Sequence, residues 1–202
     1  MSDLAVTQKL EVVGTIKDGL AIGTKNLVPI LVNVILWTLT FWIPYLNVGT
    51  TIGLMVGIVS KAARGETIEM TEIFDSKYRK YMGEFFLAFG LVGVGVGVGY
   101  VFAIIPGIII SLAWSLTFLL VIDKGKNPME AIALSNQCTY GYKGKIFLIY
   151  FLPMIAFYIL LFIFTLIPVL GILLNIALVF LLGFFIVGLN ASIYKQLTEG
   201  VA

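Results

Sequence analysis

Residues 85–122 read FFLAFGLVGVGVGVGYVFAIIPGIIISLAWSLTFLLVI and contain no Asp, Glu, Lys or Arg. A helix that crosses a bilayer needs about 20 apolar residues, so this run is too long for one crossing and right for two joined by a turn. Ile105-Pro106, near its middle, supplies the turn, because proline cannot continue a helix without losing a backbone hydrogen bond. The pattern recurs on both sides. Asn26 to Ser60 and Ile146 to Tyr194 are also free of charge and carry Ile43-Pro44 and Ile167-Pro168 near their middles. Pro44, Pro106 and Pro168 follow at equal intervals, and a polar to amphipathic stretch precedes each run.

The chain therefore reads as an all-α membrane protein: six transmembrane helices as three Ile-Pro hairpins, each preceded by a cytoplasmic amphipathic helix. It forms a single integral membrane domain over residues 1–202, in units of approximately 1–64, 65–124 and 125–202. Composition agrees, since 60% of the residues are hydrophobic and 12% charged, more apolar surface than a soluble domain of this size can hide. Every Lys and Arg falls in four stretches that six crossings would place on one side. The positive-inside bias makes that side the cytoplasm and puts both termini there. The N-terminus does not read as a secretory signal, because the first long apolar run begins only at Leu27. Asn26 to Ser60 is the shortest run, and its two halves barely match a ~30 Å core. A re-entrant loop is the alternative there, although Lys25 and Lys61 can snorkel outward.

Several functional classes are disfavoured. The net charge is only +2 and basic residues are interspersed with acids, which is no nucleic-acid footprint. One Cys and no His rule out an intrachain disulfide and leave no ligand set for a usual zinc site, so neither metal nor cofactor is expected. The absence of an acid/base dyad or activated nucleophile points away from an enzyme.

In the first amphipathic stretch, Val6, Leu10, Val13, Ile16 and Leu20 fall on one helical side, with Gln8, Glu11, Thr15 and Asp18 opposite, a helix suited to lying in the membrane interface. The second is expected over Thr71 to Met82. The third opens Asn127-Pro128-Met129-Glu130, a cap residue, a proline at the first helical position and an acid placed for a capping box. It continues through Ala131, Leu134, Cys138 and Tyr142 to a stop at Gly141, with Cys138 as a small apolar packing residue. The acids Glu66, Glu69, Glu72 and Asp75 read as a solvated helix face.

For packing, Gly49, Gly53 and Gly57 line one ridge of the second span, and Gly93/Gly97 and Gly95/Gly99 give the third two smooth faces for neighbouring helices. A selectivity-filter reading of Val-Gly-Val-Gly-Tyr fails, because an isolated strand in lipid leaves its backbone unsatisfied. Asn33, Asn47, Thr50, Ser111, Ser115 and Asn175 are the main polar side chains within the spans, and helix-to-helix hydrogen bonding is their ordinary role. Asn33, Asn175 and the ionisable Glu84 are the candidates for a ligand or ion path.

The chain resembles a widespread family of uncharacterised bacterial multi-pass membrane proteins, related to the membrane domain attached to some glycerophosphodiester phosphodiesterases. The residues that carry the resemblance are Ala63-Arg64-Gly65, Ile73-Phe74-Asp75, Ile105-Pro106-Gly107-Ile108-Ile109 and Val121-Ile122-Asp123. Asn127 to Ala131, Ser135 to Gly141 and Lys143 to Phe147 complete it. It implies a six-span fold in the bacterial plasma (inner) membrane and a link to envelope maintenance, and it transfers no catalytic residue.

The expected function is a non-enzymatic membrane protein that binds lipid, a small solute or a partner in envelope homeostasis. A homo-oligomeric channel or small transporter, packed through the glycine-rich faces, is the alternative. Membrane lipid and a second copy of the chain are the expected partners, and nucleic acid is not.

Overall fold

The computed structural model describes residues 10–200, which are helical with connecting turns and no strand. Helix α1 (Val12–Lys25) and α2 (Leu27–Thr40) meet at Asn26 with a bend of 69°. Helix α3 (Pro44–Ile52) opens on its proline after an extended Ile43, where a missing N–H costs nothing. It passes through one π turn, Gly53–Gly57, into α4 (Ile58–Arg64). Gly65 closes α4 in the left-handed conformation, φ 71°, that a side chain would disfavour.

The expected single helix over Thr71 to Met82 is corrected to a 3-10 turn at Glu72–Phe74 and a short α5 (Lys77–Lys80). The cause is local. The Asp75 carboxylate accepts the Lys77 N–H at 2.9 Å, and Glu72, Ile73 and Tyr78 are all buried, which no single helical face allows. Helix α6 (Met82–Phe102) turns at an extended Ala103 into α7 (Ile104–Ala113), so Pro106 lies in the first turn of α7 and the corner precedes it. Helix α8 (Thr117–Lys124) continues α7 after a break. Helix α9 (Pro128–Cys138) begins as the sequence indicates, with Asn127 Oδ1 accepting the Glu130 N–H at 3.0 Å, and Gly141 turns the chain at φ 80°. Helices α10 (Lys143–Thr165) and α11 (Leu170–Thr198) flank the turn containing Pro168.

Side-chain contacts link helices that follow one another in the chain. Trp37 Nε1 donates to Thr51 Oγ1 at 2.9 Å across α2 and α3. Trp114 packs on Gly95 and Gly107 on Gly99, joining α6 to α7. Tyr150 donates to Asn190 Oδ1 at 2.9 Å and Asn175 to Thr165 Oγ1 at 3.1 Å, joining α10 to α11. Among the described residues five helical runs are long and apolar enough to cross a membrane: Pro44–Arg64, Met82–Phe102, Ile104–Lys124, Lys143–Thr165 and Leu170–Thr198. Helix α2 has 14 residues and rises about 21 Å, short of a ~30 Å core. It reaches crossing length only when counted with the bent α1.

Burial is concentrated at the charged ends of the helices. Val59, Ala62, Leu120, Val121, Ile149 and Ile193 belong to one buried cluster there, whereas Val101, Phe102, Ile104, Ile105, Val169 and Ile172, near the Ile-Pro corners, are exposed. Water would penalise so large an open apolar surface. Hydrocarbon does not, because lipid tails are as apolar as the side chains.

Candidate functional site

At the charged end Glu66 and Glu69 are exposed, as a solvated face would have them, but Glu72 is not. Glu72 is 2% exposed and accepts hydrogen bonds from Lys61 Nζ (2.6 Å), Tyr78 Oη (2.6 Å) and Lys77 Nζ (3.0 Å). This corrects the expectation of a free acidic face at that residue. Burial opposes ionisation of Glu72, but the bonds from Lys61, Tyr78 and Lys77 prevail and hold its carboxyl below the usual value. A second set links α4, α8 and α11. Arg64 pairs with Glu66 through two bonds of 2.6 and 2.9 Å and with Asp123, whose other oxygen accepts the Tyr194 hydroxyl at 2.7 Å. Arg64, Asp123 and Tyr194 come from α4, α8 and α11, so this set joins helices far apart in the chain.

Asn33 is fully buried, but it holds backbone. Its amide donates to Pro29 O and Glu69 O, each at 2.8 Å, and its Oδ1 accepts the Ile73 N–H at 3.1 Å. It therefore anchors the 69–73 segment against α2. The glycine ridge of the second span receives the same segment instead of another long helix. Gly57 faces the Tyr78 ring, Gly53 faces Ile73 and Tyr78, and Gly49 faces the Arg79 side chain.

The break between α7 and α8 frees backbone groups that α9 satisfies. Ser135 Oγ donates to Ala113 O at 2.8 Å and accepts the Leu116 N–H at 3.1 Å, while Thr139 Oγ1 donates to Ala113 O at 3.2 Å. A non-helical step at this depth is tolerable only because protein supplies those bonds.

The other expected site residues lie apart. Glu84 is exposed in the first turn of α6, and Asn175 bonds Thr165 near the far turn. The structure does not gather them with Asn33. Gly93 and Gly97 face open space, whereas Gly95 and Gly99 pack against α7. In the first amphipathic stretch Val13 and Leu20 of the apolar stripe are exposed while Leu10 is buried, and Thr15, expected on the polar side, is buried with Gly19 and Gly23. Val6 and Gln8 lie outside the described residues. Gly19 approaches Leu189 Cα to 3.0 Å of its absent Cβ, and Gly188 packs on the Gly19 carbonyl. This small-residue interface went unread in the sequence, although Thr15, Gly19 and Gly23 recur at the same four-residue interval that marks the Gly49 ridge.

Helix α11 is flanked by two apolar clefts. One, of about 480 Å³, lies against α1 and α10 and is walled by Ile16, Leu20, Leu27, Phe157, Leu181 and Phe185. The other, of about 450 Å³, lies against α2 and the π turn, with Ile30, Val34, Met55, Phe180, Gly183 and Val187. Two smaller polar pockets sit at the charged end, one beside Lys25, Asn26, Arg64 and Lys195 and one beside Lys77, Tyr81 and Asp123. No family model, curated protein or solved structure matches the chain.

Proposed function

We propose that the protein is a non-enzymatic multi-pass membrane protein that holds lipid in the clefts beside α11 and serves envelope homeostasis. The reading places it in a bacterial plasma membrane with both termini cytoplasmic and with Pro44, Pro106 and Pro168 marking three hairpins. It places the chain in the family of multi-pass proteins that its sequence resembles. The observation that carries it is the 480 Å³ cleft between α1, α10 and α11, whose named walls are aliphatic and aromatic. A concave apolar site of this size in hydrocarbon favours an acyl chain over water. Native mass spectrometry of the protein released from a bilayer tests this: retained phospholipid is expected, and a lipid-free protein under conditions that preserve its fold contradicts it.

A homo-oligomer with a permeation path is favoured by one observation, the open ridge at Gly93 and Gly97 on α6. Cysteines at Gly97 that cross-link between copies, together with ion leak from reconstituted liposomes, would support that reading. Tight liposomes count against it.

A further inference from the structure

The polar pocket at Lys25 and the 450 Å³ cleft lie one after the other along α2, α4 and α11. Asn26 at the head and Ile30 and Val34 below it lie four residues apart along one face of α2. On the opposite wall, Ala62 and Ala63 belong to the head, and Met55 and Val59 to the cleft. Helix α11 supplies Lys195 above and Val187, Gly183 and Phe180 below. Taken in succession, the two sites make a groove that is polar at the charged end of the bundle and apolar toward the Ile-Pro end, the polarity of a single amphiphile lying along the membrane normal.

The head is positive. Arg64 is engaged by Glu66 and Asp123, and Glu66 is in turn satisfied by Arg64. Lys25 and Lys195 are exposed and, among the described residues, have no acid partner. Two ammonium groups without an acid partner among the described residues, above an apolar cleft, match a phosphate head on an acyl tail. We infer that this groove binds one anionic phospholipid, its phosphate between Lys25 and Lys195 and one chain running past Gly183 to Phe180. This rests on the lipid reading above and adds its headgroup charge and its position.

The full chain is reconstituted in phosphatidylcholine vesicles containing a minority of phosphatidylglycerol, solubilised mildly, and its retained lipid is measured by native mass spectrometry. The expected result is phosphatidylglycerol enriched over its share of the vesicle, falling roughly five-fold in each of K25Q and K195Q, the ratio for about 1 kcal/mol per lysine near a headgroup. K25R and K195R retain the enrichment. A Cβ at Gly183 meets nothing within 4 Å, so G183L is expected to fold, checked by its thermal midpoint, to fill the lower cleft and to lower retention. Lipid retained in the vesicle's own proportions, enrichment indifferent to the lysines, or retention unchanged in G183L overturns the inference while leaving lipid binding intact. Displacement by soluble glycerol phosphate overturns the requirement for a chain, and retention of no lipid overturns both readings.

Discussion

Tyr78 donates a 2.6 Å hydrogen bond to Glu72, and the same tyrosine ring lies against Gly57 in the π turn of the second long helix. One side chain therefore ties a buried carboxylate, with its two lysines, to the glycine-lined face of that helix.

Glu72→Gln removes the charge that Lys61 and Lys77 share. Breaking a buried pair costs about 3–5 kcal/mol, and the lower end applies here because the Lys77 side chain is 43% exposed and can turn to water. The expected outcome is a fall in thermal midpoint in detergent, with Glu72→Asp less affected than Glu72→Gln.

The pH dependence has a definite sign. The folded-state values of Glu72 and Asp75 lie below their ordinary 4.5 and 3.8, so the stability they contribute is present above those values. It is lost as pH falls through the lowered ones. Lys77 is raised above 10.5 as its bonds to Asp75 and Glu72 outweigh burial, so its contribution is complete below 10.5 and lost as pH rises through the raised value. Thermal midpoints should be flat between these limits and fall on acidification below about pH 4.5, less steeply in Glu72→Gln.

Glycines of the two ridges should respond oppositely. A methyl on Gly57 meets the Tyr78 ring, and one on Gly97 meets nothing within 4 Å. Gly57→Ala is expected to destabilise by about 1–3 kcal/mol through overpacking. Gly97→Ala should be neutral or stabilising by up to about 1 kcal/mol through helix propensity. Chemical unfolding of the two variants in detergent checks the contrast, and a self-associating α6 would show as loss of dimer in Gly97→Ala.

Asn33→Ala frees the Ile73 N–H and the Glu69 carbonyl in a buried setting. A loss of about 1–3 kcal/mol is expected, together with faster proteolysis between 66 and 80, the segment Asn33 holds down.

Charge located the long apolar helices because it acts locally, lipid excluding charge from a span, whereas proline alone does not mark a corner, since Pro153 lies inside α10. The details that depend on neighbours were less legible. Nothing in the 71–82 sequence says that Glu72 will be buried, because its partner Lys61 lies across a turn and its burial depends on the space at Gly53 and Gly57. The apolar stripe of Val13, Ile16 and Leu20 is real, but the opposite, small-residue face of α1 makes the intimate contact with α11. Asn33 was legible as a buried polar residue and not as a backbone clamp, since its partners lie in the 69–73 segment, far along the chain. The clefts beside α11 left no motif, because apolar walls drawn from five helices have no sequence spacing of their own.

The central claim is that lipid occupies particular clefts and does not merely surround the bundle. A phospholipid bearing a photoreactive group on its acyl chain, cross-linked in reconstituted vesicles and mapped by peptide mass spectrometry, tests it most directly. Labels concentrated on Leu181, Phe185 and Phe157, and on Phe180 and Val187, are the predicted result. Labels spread evenly over Val94, Val98 and Val101 on the open surface of α6 would contradict it.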